Sequence, residues 1–128
     1  FAFDNEVATG TATVTGGTGS VAGSPTFSDN TMTVNLTGVA NAQTVTVTLS
    51  NVTDAFAQVL PNTAISASFL LGDTNVNGTV NASDVGQTKS VSGQTTDATD
   101  FRADVNFSGA INASDVGLVK AMAGTSLP

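Results

Sequence analysis

The sequence predicts two different folds in one chain: an all-β antiparallel sandwich over residues 1–70 and an all-α pair of loop–helix motifs over residues 71–128. Three observations support this division. Apolar and polar residues alternate with a period of two in the first part. They recur at helical spacing in the second part, which also contains an internal repeat. The two parts are therefore predicted to be separate domains.

The first part contains three clear strand patterns. Apolar side chains alternate with polar ones over residues 31–37 and 44–49, and Ile65, Ala67 and Phe69 alternate with serine. This alternation is typical of half-buried strands. Weaker strand patterns occur at four further places: residues 1–3, residues 11–15 and the neighbourhoods of Val21 and Phe27. Short strands separated by Gly, Pro and Asn turn signals favour an antiparallel sandwich.

One strand pattern starts at Phe1 itself. Two interpretations follow: the sequence starts inside a larger domain, or the sheet lacks a strand that another subunit supplies. Donation of a strand between subunits would cover an exposed sheet edge. On the second interpretation the predicted sandwich is incomplete.

Helical patterns in the second part follow two polar loops. Apolar residues at helical spacing run on from each loop, and each run ends at a glycine, Gly93 or Gly124, as helix C-termini commonly do. A third short helix is predicted to start near Thr96 or Asp97 and to include Phe101.

The composition excludes several classes of function. The chain has ten acidic and three basic residues and a net charge of −7, so it should repel nucleic acid and anionic membranes. It contains no Cys and no His, which rules out disulfides, thiol nucleophiles, imidazole bases and Cys/His zinc sites. No apolar run is long enough to insert into a membrane. A surface of Thr, Asn, Ser and Gly with few charges is typical of an extracellular or cell-surface protein.

The internal repeat is the strongest signal in the sequence. Residues 73–86, DTNVNGTVNASDVG, align with residues 104–117, DVNFSGAINASDVG, at a constant offset of 31 positions. Each copy is close to the pattern D-x-[DN]-x-[DN]-G-x5-E. In such a loop, alternate side chains turn inward and offer oxygen atoms to calcium, a hard cation that takes about six to eight oxygen ligands. The sequence therefore predicts two calcium ions, one in each loop.

The predicted ligands are carboxylate, amide, hydroxyl and backbone carbonyl oxygens. In the first loop they are Asp73, Asn75, Asn77, the Thr79 carbonyl, Asn81 and Asp84; in the second, Asp104, Asn106, Ser108, the Ala110 carbonyl, Asn112 and Asp115. The closing residue is Asp rather than Glu, so each helix must approach its ion more closely. Ser108 replaces an Asn or Asp ligand, which predicts a weaker second site. We expect affinities roughly in the micromolar-to-millimolar range.

Two loops closed by Asp and each followed by one helix resemble a type I dockerin domain, over about residues 70–128. The resemblance implies a calcium-loaded duplicate that docks onto cohesin, a β-sandwich module, through residues on each helix. The positions implied here are Ala82, Ser83 and Lys89 in the first copy and Ala113, Ser114 and Lys120 in the second. The near-identical copies imply that either helix can face the partner. The β part more loosely resembles small sandwiches that precede such repeats in secreted bacterial proteins.

These observations predict a non-catalytic, extracellular, calcium-stabilised assembly module. It would dock onto a β-sandwich partner or onto neighbouring copies of itself, and head-to-tail docking or strand donation would then build a filament. The alternative is a C-terminal anchoring or sorting tail of a larger secreted enzyme or adhesin. A carbohydrate-binding β domain is less favoured, because the chain has no Trp or Tyr to stack on sugar rings. The chain is not expected to be an enzyme, since no pair of acids outside the loops has a spacing that suggests acid–base catalysis.

Overall fold

The structure is a computed structural model that describes all residues from Phe1 to Pro128. The chain divides into two compact units, Phe1–Ser68 and Phe69–Pro128. The first unit is built from antiparallel strands and the second from helices and loops. The predicted succession of a β region and a helical region is therefore confirmed.

A four-stranded sheet centred on β6 forms most of the first unit. Its strands and those of two short ribbons are β1 Val7–Gly16, β2 Ser20–Val21, β3 Thr26–Ser28, β4 Thr31–Thr33, β5 Leu36–Thr37, β6 Gln43–Asp54, β7 Val59–Leu60 and β8 Thr63–Phe69. Strands β1 and β7 flank β6, and β8 also pairs with β6. The ribbons are β2–β5 and β3–β4, both antiparallel. One sheet with two ribbons does not confirm the predicted sandwich.

Two predicted strands differ from the observed ones. The strand over residues 31–37 is divided into β4, which pairs with β3, and β5, which pairs with β2. Residues 1–3 form no strand, although Ala2 bridges Thr31 and the Met32 N–H donates to the Phe1 carbonyl at 2.9 Å. The alternation in sequence identified the inward-facing side chains, but pairing with distant segments decided where each strand ends.

The core of the first unit lies on one face of β6. Val45, Val47 and Leu49 are buried there together with Met32 of β4. The other face of β6 carries threonine hydroxyls that bond across the sheet. These hydroxyl pairs are Thr15 with Thr48 at 2.8 Å, Thr46 with Ser66 at 2.9 Å and Thr44 with Ser68 at 2.9 Å. Because successive side chains of a strand point to opposite faces, the period-2 pattern separates an apolar face from a hydroxyl face.

Strand β8 departs from the predicted half-buried pattern. Since Ser66 bonds to the hydroxyl face of β6, Ile65 and Ala67 must lie on the opposite, apolar face. Even so, Ile65 is 41% exposed and Phe69 is 37% exposed. The core over Val45 and Leu49 therefore does not extend across β8, and an apolar strip of this strand remains open.

The second unit contains two α-helices, α1 Ala82–Ser90 and α2 Ala113–Met122, and a 3-10 helix at Phe101–Ala103. Helices α1 and α2 pack against each other. The buried apolar residues of this unit are Val80, Ala103, Ile111, Val116 and Val119. None of the helices is both long and apolar enough to cross a membrane.

The third helix is shorter than predicted and starts later. The residues before it form a hydrogen-bonded turn, in which Asp97 accepts from the Thr99 N–H at 2.7 Å and Asp100 accepts from the Asp97 N–H at 2.8 Å. These two bonds have the pattern of a capping box, which marks the start of a helix, and the Phe101 N–H donates to the Asp97 carbonyl at 3.1 Å. A turn therefore begins at Asp97, but no α-helix continues from it. Only Phe101–Ala103 then form a 3-10 helix.

Candidate calcium loops

Each predicted loop runs into its helix through a capping box. In the first copy the Asn81 side chain accepts from the Ser83 N–H at 2.8 Å, and Asp84 accepts from the Asn81 N–H at 2.9 Å. The second copy repeats both bonds with the same lengths, through Asn112 and Asp115. Such a box fixes where a helix begins. It also ties the last two side-chain ligands predicted for each loop to the first helical turn.

The start of the first loop folds around its carboxylate. Asp73 accepts from the Gly78 N–H at 2.8 Å and from the Asn77 N–H at 3.1 Å, and Asn75 also accepts from the Asn77 N–H at 3.1 Å. Gly78 has a φ of 81°, a left-handed conformation that favours glycine. The turn therefore brings three predicted ligands together in one short loop.

The second loop has the same construction with one additional donor. Asp104 accepts from the Gly109 N–H at 2.8 Å and from the Ser108 N–H at 2.9 Å. It also accepts from the Thr96 hydroxyl at 3.0 Å. Burial raises the pKa of the Asp104 carboxyl, but these donated hydrogen bonds outweigh burial and hold the pKa below its usual range. Asp104 is therefore ionised at neutral pH, as a calcium ligand must be.

The closing carboxylates, Asp84 and Asp115, are completely buried. Asp84 accepts from the backbone N–H groups of Thr74 at 3.0 Å and Asn75 at 3.3 Å, and Asp115 accepts from Asn106 at 3.3 Å. All of these donors are uncharged. Because a buried carboxylate needs a counter-charge, a divalent cation held in each loop fits these positions.

The remaining predicted ligands of each loop contact one another. Asn77 accepts from the Thr79 hydroxyl at 2.8 Å in the first loop. In the second, Ser108 donates to the Ala110 carbonyl at 3.0 Å and the Asn112 amide donates to it at 3.3 Å. Carboxylate, amide, hydroxyl and carbonyl oxygens form the donor set that calcium takes in proteins. No cluster of three or more His, Cys, Asp or Glu side chains suited to a metal occurs in the structure, so the neutral oxygens would complete each ligand set.

The segment after α2 pairs with the first loop. The Val80 N–H donates to the Thr125 carbonyl at 2.9 Å, the Gly124 N–H donates to the Val80 carbonyl at 2.9 Å, and the Leu127 N–H donates to the Gly78 carbonyl at 3.0 Å. Thr79 and Ser126 form the bridge between the two segments. The tail of the second copy therefore supports the loop of the first.

The reverse pairing has the same pattern. The Ile111 N–H donates to the Gln94 carbonyl at 3.0 Å, the Gly93 N–H donates to the Ile111 carbonyl at 2.7 Å, and the Thr96 N–H donates to the Gly109 carbonyl at 3.1 Å. The sequence analysis did not identify this exchange of tails between the copies. Its signal is the repeat itself, because Gly93 and Gly124 stand at the same offset and both have positive φ, 96° and 94°.

The predicted docking residues are all accessible. They are Ala82, Ser83 and Lys89 on α1 and Ala113, Ser114 and Lys120 on α2, and each side chain is exposed. The alanine and serine of each copy lie in the first helical turn, next to the closing carboxylate. The lysine lies in the last part of each helix, on the exposed surface.

Two exposed apolar side chains at equivalent loop positions were not singled out from the sequence. Val76 and Phe107 have φ of 61° and 57°, a conformation that costs energy for residues of this kind. They are 65% and 90% exposed. Nothing in their burial explains why apolar residues stand there.

Comparison with known families gives a match within the second unit. Residues 71–122 match the family model of the dockerin type I domain. This match supports a dockerin domain in the C-terminal part of the chain, and such domains bind calcium and dock onto cohesin, a β-sandwich domain. No curated protein and no solved structure matches the chain significantly. The resemblance proposed for the β part is not confirmed by a family match.

Proposed function

We propose that this chain is a non-catalytic, extracellular module whose dockerin part holds two calcium ions and docks onto a β-sandwich partner. The observation that carries the proposal is the duplicated loop with its closing carboxylates, Asp84 and Asp115, fully buried among uncharged donors. Two such loops at equivalent positions are a costly arrangement unless each holds a cation.

The loops link calcium binding to the shape of the docking surface. Calcium would supply the positive charge that neutralises the two carboxylates of each loop. Asp84 lies in the first turn of α1 and caps the helix through the Asn81 N–H at 2.9 Å. The same turn carries Ala82 and Ser83, both exposed. Holding Asp84 in place therefore also holds the docking residues in place.

The partner surface can be described by what these helices offer. A small apolar side chain and a hydroxyl stand at the start of each helix, with one lysine near its end. A complementary surface would be flat and uncharged opposite Ala82 and Ser83, with an acceptor or acidic group opposite Lys89. The second copy offers the same residue types, so either helix can serve.

Binding to a purified cohesin module tests the proposal. The full chain should bind with calcium and lose binding with EDTA. The double variant Ala82→Arg with Ala113→Arg should abolish binding. Each single substitution leaves one helix intact, so either single variant should still bind. Thr11→Arg adds the same charge to an exposed position of β1, in the other unit, and should have no effect. Binding that persists in EDTA, or in the double variant, would contradict the proposal.

A second candidate function is self-association through the β unit. The open apolar strip of β8, where Ile65 is 41% exposed, favours it, because such a strip is covered when a neighbouring copy packs against it. If the strip packs against a different surface of the neighbouring copy, the contact repeats and gives a filament. Electron microscopy of the purified chain with calcium and with chelator tests this candidate, and monomers in both conditions would refute it.

The alternative of an anchoring or sorting tail shares the same docking chemistry. The dockerin part would then attach a larger secreted enzyme or adhesin to its partner, and the chain described here would contribute no catalysis. The mass of the natural protein, and any activity that co-purifies with it, separate the two arrangements.

A further inference from the structure

One contact of the second loop has no counterpart in the first and is not predicted by the repeat. The Thr96 hydroxyl donates to Oδ2 of Asp104 at 3.0 Å. At the equivalent position of the other copy stands Leu127, whose side chain has no hydroxyl. The backbone groups match, since the Thr96 N–H donates to the Gly109 carbonyl at 3.1 Å and the Leu127 N–H donates to the Gly78 carbonyl at 3.0 Å. At this position the asymmetry is therefore confined to the side chain, Thr96 in one copy and Leu127 in the other.

We propose that Thr96 is a positioning residue for the second calcium loop. Its hydroxyl orients the Asp104 carboxylate from the segment that follows α1. The inference rests on the calcium binding proposed above and adds a residue outside the loop pattern. Thr96 lies eight positions before Asp104, so no loop signature includes it.

The hydrogen bonds around Asp104 show how the orientation is fixed. Oδ2 accepts from both the Gly109 N–H at 2.8 Å and the Thr96 hydroxyl at 3.0 Å, and Oδ1 accepts from the Ser108 N–H at 2.9 Å. In the first loop Oδ2 of Asp73 accepts only the equivalent bond from Gly78, at 2.8 Å. A carboxylate with a second donor on one oxygen keeps its rotamer better, and partners of this kind in the outer shell of a metal typically change its affinity by about 10-fold to 100-fold.

This contact has two consequences for the second loop. It offsets part of the loss expected from Ser108, so the two sites should differ in affinity less than their ligands alone suggest. It also links the second loop to the tail of the first copy, to which Thr96 belongs. Coupling free energies are reciprocal. If the tail raises the calcium affinity of the second loop, calcium in that loop therefore stabilises the position of the tail by the same free energy.

A residue-resolved calcium titration tests the inference. Gly78 and Gly109 each donate a backbone N–H to the first carboxylate of their own loop, so their amide resonances report the two loops separately. In the full chain, Thr96→Val keeps the shape of the side chain and removes the hydroxyl. It should raise the calcium midpoint at Gly109 about 10-fold, while the midpoint at Gly78 changes less than about twofold.

Two matched variants complete the experiment. Thr96→Ser restores a hydroxyl and should return the Gly109 midpoint close to its original value. Thr95→Val removes a hydroxyl from the neighbouring exposed residue and should change neither midpoint. An unchanged Gly109 midpoint in Thr96→Val, or an equal shift at both glycines, would overturn the inference, because an equal shift indicates general destabilisation. If neither glycine of the unaltered chain responds to calcium, the proposed function itself fails.

Discussion

The two units of this chain bury different kinds of side chain. In the β unit the completely or almost completely buried residues are apolar, such as Met32, Val45 and Leu49. In the dockerin unit Ile111 and Val119 are equally buried, but so are the carboxylates of Asp84 and Asp115. Apolar burial stabilises a fold without a ligand, whereas buried carboxylates require a counter-charge. The comparison indicates that calcium should control the stability of the dockerin unit and leave the stability of the β unit unaffected.

The largest expected effect is removal of a closing carboxylate. Asp84→Ala deletes a predicted ligand and the capping bond to the Asn81 N–H at 2.9 Å. We expect the calcium-loaded dockerin unit to lose roughly 3–5 kcal/mol, the range for removing one partner of a buried ionic contact. Denaturant unfolding followed by the helical circular dichroism signal measures the loss. Asp4→Ala, which removes an exposed acid of the β unit, is the control, and an equal effect of both variants would contradict the comparison.

A core substitution in the β unit should destabilise that unit and leave calcium binding by the dockerin unit unchanged. Met32 is completely buried, and Met32→Ala should destabilise the β unit by about 2–5 kcal/mol through the lost burial and the cavity left behind. The calcium midpoints at Gly78 and Gly109 should not change. Amide hydrogen exchange resolves the two units in one sample. Destabilisation of the helices by this variant would show that the units do not behave independently.

These two predictions also mark what the sequence reveals and what it does not. The capping boxes at Asn81 and Asn112 and the turn at Gly78 are formed by neighbouring residues within the two loops that the sequence predicted. The exchange of tails joins Thr96 to Gly109 and Leu127 to Gly78. It could not be predicted, because it depends on how the two copies pack.

The β unit shows the same limit at the level of strands. The alternation over residues 44–49 correctly predicted the core face of β6, since side-chain direction is a local property. The exposure of Ile65 was not predicted, although β8 has the same alternation. Burial of β8 depends on what covers the sheet, and that is decided by segments far away in the sequence. The separation of β4 from β5 has the same cause.

A smaller effect is expected from relieving backbone strain in the loops of the dockerin unit. Val76 has a φ of 61° and is 65% exposed, so its side chain gains little from packing. Val76→Asn should stabilise this unit by up to about 1 kcal/mol, because Asn tolerates the left-handed conformation and a β-branched residue does not. Thermal melts with saturating calcium measure the change. A loss of stability would instead indicate that the valine side chain packs against something when calcium is bound.

The smallest expected effect is on how the stability of the β unit depends on pH in the acid range. Burial raises the pKa of Asp54, but hydrogen bonds from the Asn5 side chain at 2.8 Å and from the backbone N–H groups of Gln58 at 2.8 Å and Phe56 at 2.9 Å hold the pKa below its usual range. A lowered folded-state pKa contributes stability above the unfolded value of about 4, and that contribution is lost as the pH falls through the folded value. Asp54→Asn should therefore flatten the acid side of the stability profile of the β unit. An unchanged slope between the two proteins would contradict the role given to Asp54.

The central claim is that calcium stabilises the dockerin unit, and one thermal melt tests it most directly. The full chain is heated with saturating calcium and with EDTA while the helical circular dichroism signal is followed. Because a ligand that binds only the folded state must raise its stability, we predict a higher melting temperature with calcium and a weaker helical signal with EDTA. If EDTA leaves both the helical signal and its melting temperature unchanged, the loops do not bind calcium and the account is wrong.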